Sequence, residues 1–269
     1  MKHDFGRRSG AALGLSILLL GMPAAAQTPA AAAASNRLPR TPEGRPDFSG
    51  IWQSLTTAYW DIQDHPDSAD MPPGPGIVDG NEIPYKPEML AQKQKNFANR
   101  DKDDLVTAAC LMPGVPRATY LPYPFQIVQD PQLIAIRHQF AHAVRFIRFE
   151  GGHPEGWPDF WMGDSRGRWE GNTLVVDVRM IDDRTWFDHA GNFHSDALHL
   201  VERYLEIDRD HILYEATIED PNVFTRPWKI SLPLYRRIEK NMRLMEHECQ
   251  WYKSEQKYKD ATPFKPPQK

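Results

Sequence analysis

From Pro124 onward, apolar residues recur in short runs divided by turn residues. Residues 125–128, 132–138 and 143–149 read as strands, with Asp130-Pro131 marking the first turn. Residues 168–170, a Gly171-Asn172 turn and residues 173–180 form a hairpin pattern: Leu174, Val176 and Val178 alternate with Val175, Asp177 and Arg179. Residues 198–207 and 211–219 pair across Asp208-Arg209-Asp210, and 229–236 and 242–249 supply two more strands. Eight or nine strands with short connections and no helices between them predict antiparallel pairing. A meander of this size closes into a barrel or stacks as a sandwich; the barrel is favoured. The expected fold is mainly β, an antiparallel lipocalin-like β-barrel of about 8–10 strands.

One register follows on paper. A three-residue loop at Asp208–Asp210 sets Ile207 opposite His211, Arg203 opposite Glu215, Val201 opposite Thr217 and His199 opposite Glu219. The other face then carries Leu200, Glu202, Tyr204, Tyr214, Ala216 and Ile218, so Glu202 sits among apolar and aromatic groups. A carboxylate there is either paired or has a raised pKa.

The first half is less regular. Asp47-Phe48-Ser49-Gly50-Ile51-Trp52 is short and aromatic, and residues 61–87 are dense in Pro, Gly and Asp. Residues 86–99 place Met89, Leu90, Lys93 and Phe97 near helical spacing and predict the one helix. Residues 106–123 carry three prolines and read as an irregular crossing. Residues 47–253 are therefore one barrel domain: 47–123 an irregular and helical extension, 124–253 the strand meander. Residues 27–46 are an Ala/Pro-rich linker and 254–269 a Lys/Pro-rich tail.

The N-terminus predicts a compartment. Lys2, Arg7 and Arg8 precede the apolar run Ala11 to Leu20, and Ala24-Ala25-Ala26 gives a small-residue cleavage pattern. Residues 1–26 read as a secretory signal cleaved near Ala26, so a periplasmic or secreted protein is expected. Arg7-Arg8 also raises twin-arginine export. No run reaches the roughly 18 apolar residues of a membrane span, so no membrane partner is expected after cleavage. In an oxidising compartment Cys110 and Cys249 allow one disulfide. The full chain has a net charge of −4, against the basic face of a nucleic-acid binder.

The densest polar cluster is Thr185 to His199, with His189, His194, His199, Asp188 and Asp196 in a loop entering a strand. Histidine beside carboxylate is the usual pairing for acid–base chemistry near neutral pH. His194 is the candidate acid or base, Asp196 or Asp188 its orienting partner, Glu202 the second acid–base group and Arg203 an oxyanion holder. Trp157, Trp161, Trp169, Tyr204 and Trp228 are candidate ligand-pocket aromatics, with His153 and His199 beside them. No Gly-x-Ser-x-Gly elbow, P-loop or dinucleotide fingerprint is present. The five-residue spacing of His189, His194 and His199 fits neither one helix face nor one strand face. No cofactor is expected; a divalent metal assembled from distant segments is the exception considered.

Two resemblances add to this. Gly163-Asp164-Ser165-Arg166-Gly167-Arg168-Trp169-Glu170-Gly171-Asn172-Thr173-Leu174-Val175-Val176-Asp177 and His194-Ser195-Asp196-Ala197-Leu198-His199-Leu200-Val201-Glu202-Arg203-Tyr204 resemble a family of secreted bacterial proteins, mostly from soil bacteria and mostly without a settled activity. The likeness extends to Pro46–Trp52, His153-Pro154, Glu219-Asp220-Pro221 and Pro227-Trp228. Members often carry His at position 164 and Asp at 172, which puts any role for Asp164 in doubt. Gly50-Ile51-Trp52 and Gly167-Arg168-Trp169 resemble the Gly-x-Trp of lipocalin-type barrels, which implies an interior able to hold one small ligand.

The first functional reading is a secreted lyase, isomerase or hydrolase acting on a small, apolar, oxygenated substrate. The second is a periplasmic carrier for a hydrophobic small molecule. A third, resting only on the ten histidines, is a metal- or haem-binding barrel.

Overall fold

The computed structural model describes residues 36–68 and 72–247. The signal segment, the 254–269 tail and Cys249, with its expected pairing to Cys110, lie outside the described residues. Among the described residues no helix is long and apolar enough to cross a membrane.

Nine strands form one closed barrel: β1 Gly50–Ser54, β2 Phe125–Gln129, β3 Leu133–His138, β4 Val144–Arg148, β5 Asp164–Glu170, β6 Thr173–Arg179, β7 His199–Glu206, β8 His211–Glu219 and β9 Trp228–Arg236. The fold is the expected mainly-β, lipocalin-like barrel. It is not purely antiparallel, because β4 and β5 run parallel through Ile147↔Ser165 and Arg148↔Arg166. An odd number of strands cannot alternate direction all the way round a closed ring. The fifteen residues between β4 and β5 supply the return as an irregular crossing, where a helix is more usual.

Two boundaries differ from the sequence expectation. Gly50–Ser54 is not an extension but the closing strand, pairing with β2 on one side and β9 on the other. Residues 242–247 form no strand. The end of the Ala/Pro-rich linker is also tied down: Leu38 is buried, its N–H donates to Glu206 Oε1 at 2.7 Å, and Arg40 pairs with Glu206 at 2.7 Å.

Four helices lie outside the barrel: α1 Pro87–Ala98, α2 Arg100–Asp103, α3 Leu105–Ala109 and α4 Arg117–Tyr120. Pro87 opens α1, where a missing N–H costs nothing. Of its apolar stripe only Met89 packs on the core; Leu90 and Phe97 are exposed, whereas Asn96 is buried with Nδ2 donating to Gly191 O at 3.3 Å. The two short helices α3 and α4 escaped detection because prolines interrupt any periodicity across this region.

The β7–β8 register is the one expected, with Arg203↔Glu215, Val201↔Thr217 and His199↔Glu219. Leu200, Glu202, Tyr204, Tyr214, Ala216 and Ile218 consequently point inward and are buried. Ion pairing differs, since Arg203 reaches Glu170 at 2.9 Å. Glu202 is paired in the barrel interior: both its oxygens accept from the guanidinium of Arg145 on β4, and Tyr214 Oη donates to Oε1 at 2.6 Å. Arg145 Nε donates to Ser165 Oγ at 2.9 Å. At the barrel end, Arg236 of β9 lies 4.2 Å over the Trp52 ring, where Gly50 adopts φ +145°; a Cβ there would meet Arg236 Nη1.

Removing one member of the interior pair strands a charge in the core, at a cost of roughly 3–5 kcal/mol. Glu202→Ala is expected to lose that much stability in urea unfolding, and the double variant Arg145→Met with Glu202→Leu to recover most of it. A Glu202→Ala variant as stable as wild type would show the pair to be solvent-screened. His138, also inward-facing, is pushed down to about 3 by burial and by the Arg145 charge. The unfolded chain therefore takes up a proton that the folded one refuses as pH falls from about 6.5 towards 3. That costs up to ~1.4 kcal/mol per pH unit in this window. His138→Gln is expected to flatten the acid limb of stability against pH by one proton; an unchanged slope would exclude a neutral buried ring.

Candidate functional site

The parallel ladder is short, and its register sets residues 144–146 of β4 opposite 162–164. Between them, beneath the crossing, opens a cavity of about 600 Å³. Its walls include Met112, Phe146, Trp157, Phe160, Trp161 and Met162, and Arg145 and Arg148 stand at its β4 side. Trp157 stacks on Phe160 with centroids 6.4 Å apart, and Arg184 lies 4.5 Å over the Trp161 ring. Phe160 holds the crossing to the segment just after β6, its N–H donating to Met180 O at 2.8 Å and its carbonyl accepting from Asp182 N at 3.1 Å.

His153 pins the other end of the crossing. Its Nδ1 meets Asp164 Oδ2 at 2.7 Å and its Nε2 meets Asp177 Oδ1 at 2.8 Å. The row continues across the barrel's outer face, with His199 Nε2 on Asp177 Oδ2 at 2.9 Å and its Nδ1 on Glu219 Oε2 at 3.1 Å. Arg166 grips Asp164 through Nε and Nη2. Burial pushes the Asp177 carboxyl up, but hydrogen bonds from His199 and His153 outweigh it and hold the group below its ordinary value. Asp164, doubtful from the sequence pattern, is thus an anchor for both His153 and Arg166.

The five predicted catalytic residues are not brought together. His194 is buried, with Nε2 on Thr185 Oγ1 at 2.9 Å and Nδ1 on Ser195 O at 2.9 Å, and burial lowers its proton affinity. Its orienting partner is Thr185, not a carboxylate. Asp188 has spent its oxygens on Ile62 N, Asn192 N and Asn192 Nδ2, at 3.0, 3.0 and 2.6 Å. Burial and the charge of Asp61 push it up to about 7. Asp196 lies in the field of Asp159, whose carboxyl is raised by burial and by the charges of Asp196, Asp182 and Asp183. Glu202 is locked to Arg145 inside the barrel, and Arg203 is paired with Glu170 on its outside.

Of the predicted pocket residues, Trp157 and Trp161 line the seam cavity, and His153 and His199 belong to the row beside it. Trp169 is elsewhere, stacked between Phe48 and Phe149. Tyr204 and Trp228 are core residues, the latter packed edge-on against Phe187 and Phe224. The interior holds such side chains and the Arg145–Glu202 pair. Sequence reasoning missed Arg145, Arg148, Phe146 and Met162, which become neighbours only through the parallel pairing. Among the described residues no group of three or more His, Cys, Asp or Glu side chains is placed to hold a metal ion.

No family model matches the chain, and no curated protein matches it.

The His153 contacts generate a test. Hydrogen bonds to charged groups contribute roughly 1.5–3 kcal/mol each when shielded. His153→Ala is expected to speed hydrogen exchange at the Phe160 and Asp182 amides roughly tenfold or more, while the Tyr204 amide in β7 keeps its protection. Unchanged exchange at Phe160 would show that the crossing holds without its imidazole.

Proposed function

We propose that the protein is an exported small-molecule-binding barrel, taking into the seam cavity a flat aromatic or apolar ligand that carries an acid group. One observation carries this reading: an aromatic and methionine-lined cavity whose rim leaves Phe146 42% and Trp157 63% exposed beside an arginine without a carboxylate partner among the described residues. Large apolar side chains left in water as a group mark binding surfaces. Arg148 pairs with no carboxylate among the described residues and lies 5.6 Å from the Phe146 ring, where it can meet a ligand's acid group. Arg166 is already matched by Asp164, and Arg145 by Glu202.

Binding fits this cavity better than catalysis. The histidine nearest it, His153, has both ring nitrogens engaged by carboxylates, so neither is free to serve as base. The signal-like N-terminus and the motifs resembling a secreted bacterial family support export.

The probe is 2-naphthoate, titrated by tryptophan fluorescence, with 2-naphthylmethanol as its uncharged counterpart. The acid is expected to bind more tightly than the alcohol. Trp161→Ala and Arg148→Ala are each expected to weaken it about tenfold, equivalent to ~1.4 kcal/mol. Equal binding of acid and alcohol would remove the role of Arg148. Binding indifferent to both substitutions, or no binding, would overturn the assignment.

A further inference from the structure

A second histidine of the 185–199 loop faces a different cavity. His189 is buried, and its backbone N–H donates to Tyr59 O at 3.1 Å. Its ring stands edge-on to Trp60 at 5.1 Å. Its Nδ1 lies 2.8 Å from Asp104 Oδ2. Asp104 caps α3, accepting from Val106 N at 3.2 Å and from Thr107 Oγ1 at 3.0 Å. Arg117 of α4 grips the same carboxylate through both Nη atoms at 2.8 Å. Burial alone would raise Asp104, but the Arg117 charge and the hydrogen bonds from His189, Arg117 and Thr107 hold it well below the usual range.

A carboxylate only accepts, so the ring proton of neutral His189 sits on Nδ1 and leaves Nε2 with its lone pair. The contact found for Nε2 is Asp101 Oδ1 at 3.5 Å, on a side chain 85% exposed. Beside the ring is a cavity of about 260 Å³ walled by Tyr59, Trp60, Leu121, Tyr123 and Phe140. Arg117 lines it too, and its Nε, buried, has no hydrogen-bond partner among the described residues. Among the described residues neither serine nor cysteine lines this cavity, and Thr107 Oγ1 is donated to Asp104.

We propose that this cavity is a hydrolytic site for a compact aryl ester, with His189 Nε2 as general base. Water gives a proton to Nε2 as its oxygen bonds to the ester carbonyl carbon, and the carbonyl π pair moves onto oxygen. Arg117 Nε–H is the donor offered to that oxyanion. Collapse breaks the bond to the aryloxide, which takes the proton back from Nε2. One ester and one water become one carboxylic acid and one phenol. Asp104 is a positioning residue, fixing the tautomer and stabilising the imidazolium. No residue lines both this cavity and the seam cavity, so the site stands whether or not the seam binds an acid.

The test is turnover of 4-nitrophenyl acetate by the whole exported chain. Saturable hydrolysis is expected, with kcat/KM falling roughly 100-fold or more in His189→Gln. His211→Gln, which removes a ring bonded to Asp208 at the β7–β8 turn, is expected to keep wild-type rates. Hydrolysis that does not saturate, or survives intact in a folded His189→Gln variant, overturns the proposal. Should that variant fail to fold, the wild-type enzyme decides: slower turnover in D₂O supports a proton in flight to Nε2, and equal rates in H₂O and D₂O overturn it. Failure here leaves 2-naphthoate binding at the seam untouched, so the two assignments fall separately.

Discussion

A closed ring of nine strands must contain a parallel neighbour pair, and much else in this barrel descends from that parity. The chain leaving β4 has to travel back to the same end before β5 can begin. It does so over fifteen residues rich in proline and tryptophan, held down at one end by His153 and at the other by Phe160. Because the ladder joins only two residue pairs, the wall is thin there, and the crossing roofs a cavity instead of closing onto a sheet face. In an even-stranded meander these residues would be hairpin turns, with no roof and no cavity.

Arg145 connects this seam to the interior. Its guanidinium is fully engaged by Glu202 and Ser165 inside, while the residue also forms part of the cavity wall. A charge buried this deeply is tolerable only with matched geometry. The pair therefore ties β4, one side of the weak ladder, to β7 through the interior. Tyr214 adds a third bond to Glu202, which leaves the carboxylate little freedom to exchange partners. The Arg145–Glu202–Tyr214 group thus sits in the barrel interior and ties the seam strand to the far wall.

Strand positions were legible because alternation survives in single strands and the Asp208–Asp210 loop length sets a register without any distant information. That reading placed Glu202 inward, as found, and left it either paired or raised; the structure pairs it with Arg145. Three features were not legible. Direction around a ring depends on the total strand count, and Gly50–Ser54 was not counted among the strands. The strand expected at 242–249 was suggested by composition alone and forms nothing through residue 247. The stripe at Leu90 and Phe97 mimics a core face, yet the helix turns Asn96 inward because Gly191 O offers it a partner.

The histidines show why the site was harder to read than the fold. His189 and His194 lie five residues apart in one loop beside two aspartates, and adjacency suggested that those aspartates would orient them. Asp188 instead serves backbone amides of its own turn and of residue 62, as short carboxylates in turns commonly do. His194 is left with a hydroxyl and a carbonyl. The carboxylate that orients His189 is Asp104, 85 residues away, carried in by the cap of a five-residue helix that proline-rich sequence concealed. His153 is held by two carboxylates at once, one on each ring nitrogen. Sequence proximity thus does not name the partners of His189 and His194; those depend on segments far away in the chain, and His189 is a ring that lines a cavity while its Nδ1 is held by a carboxylate.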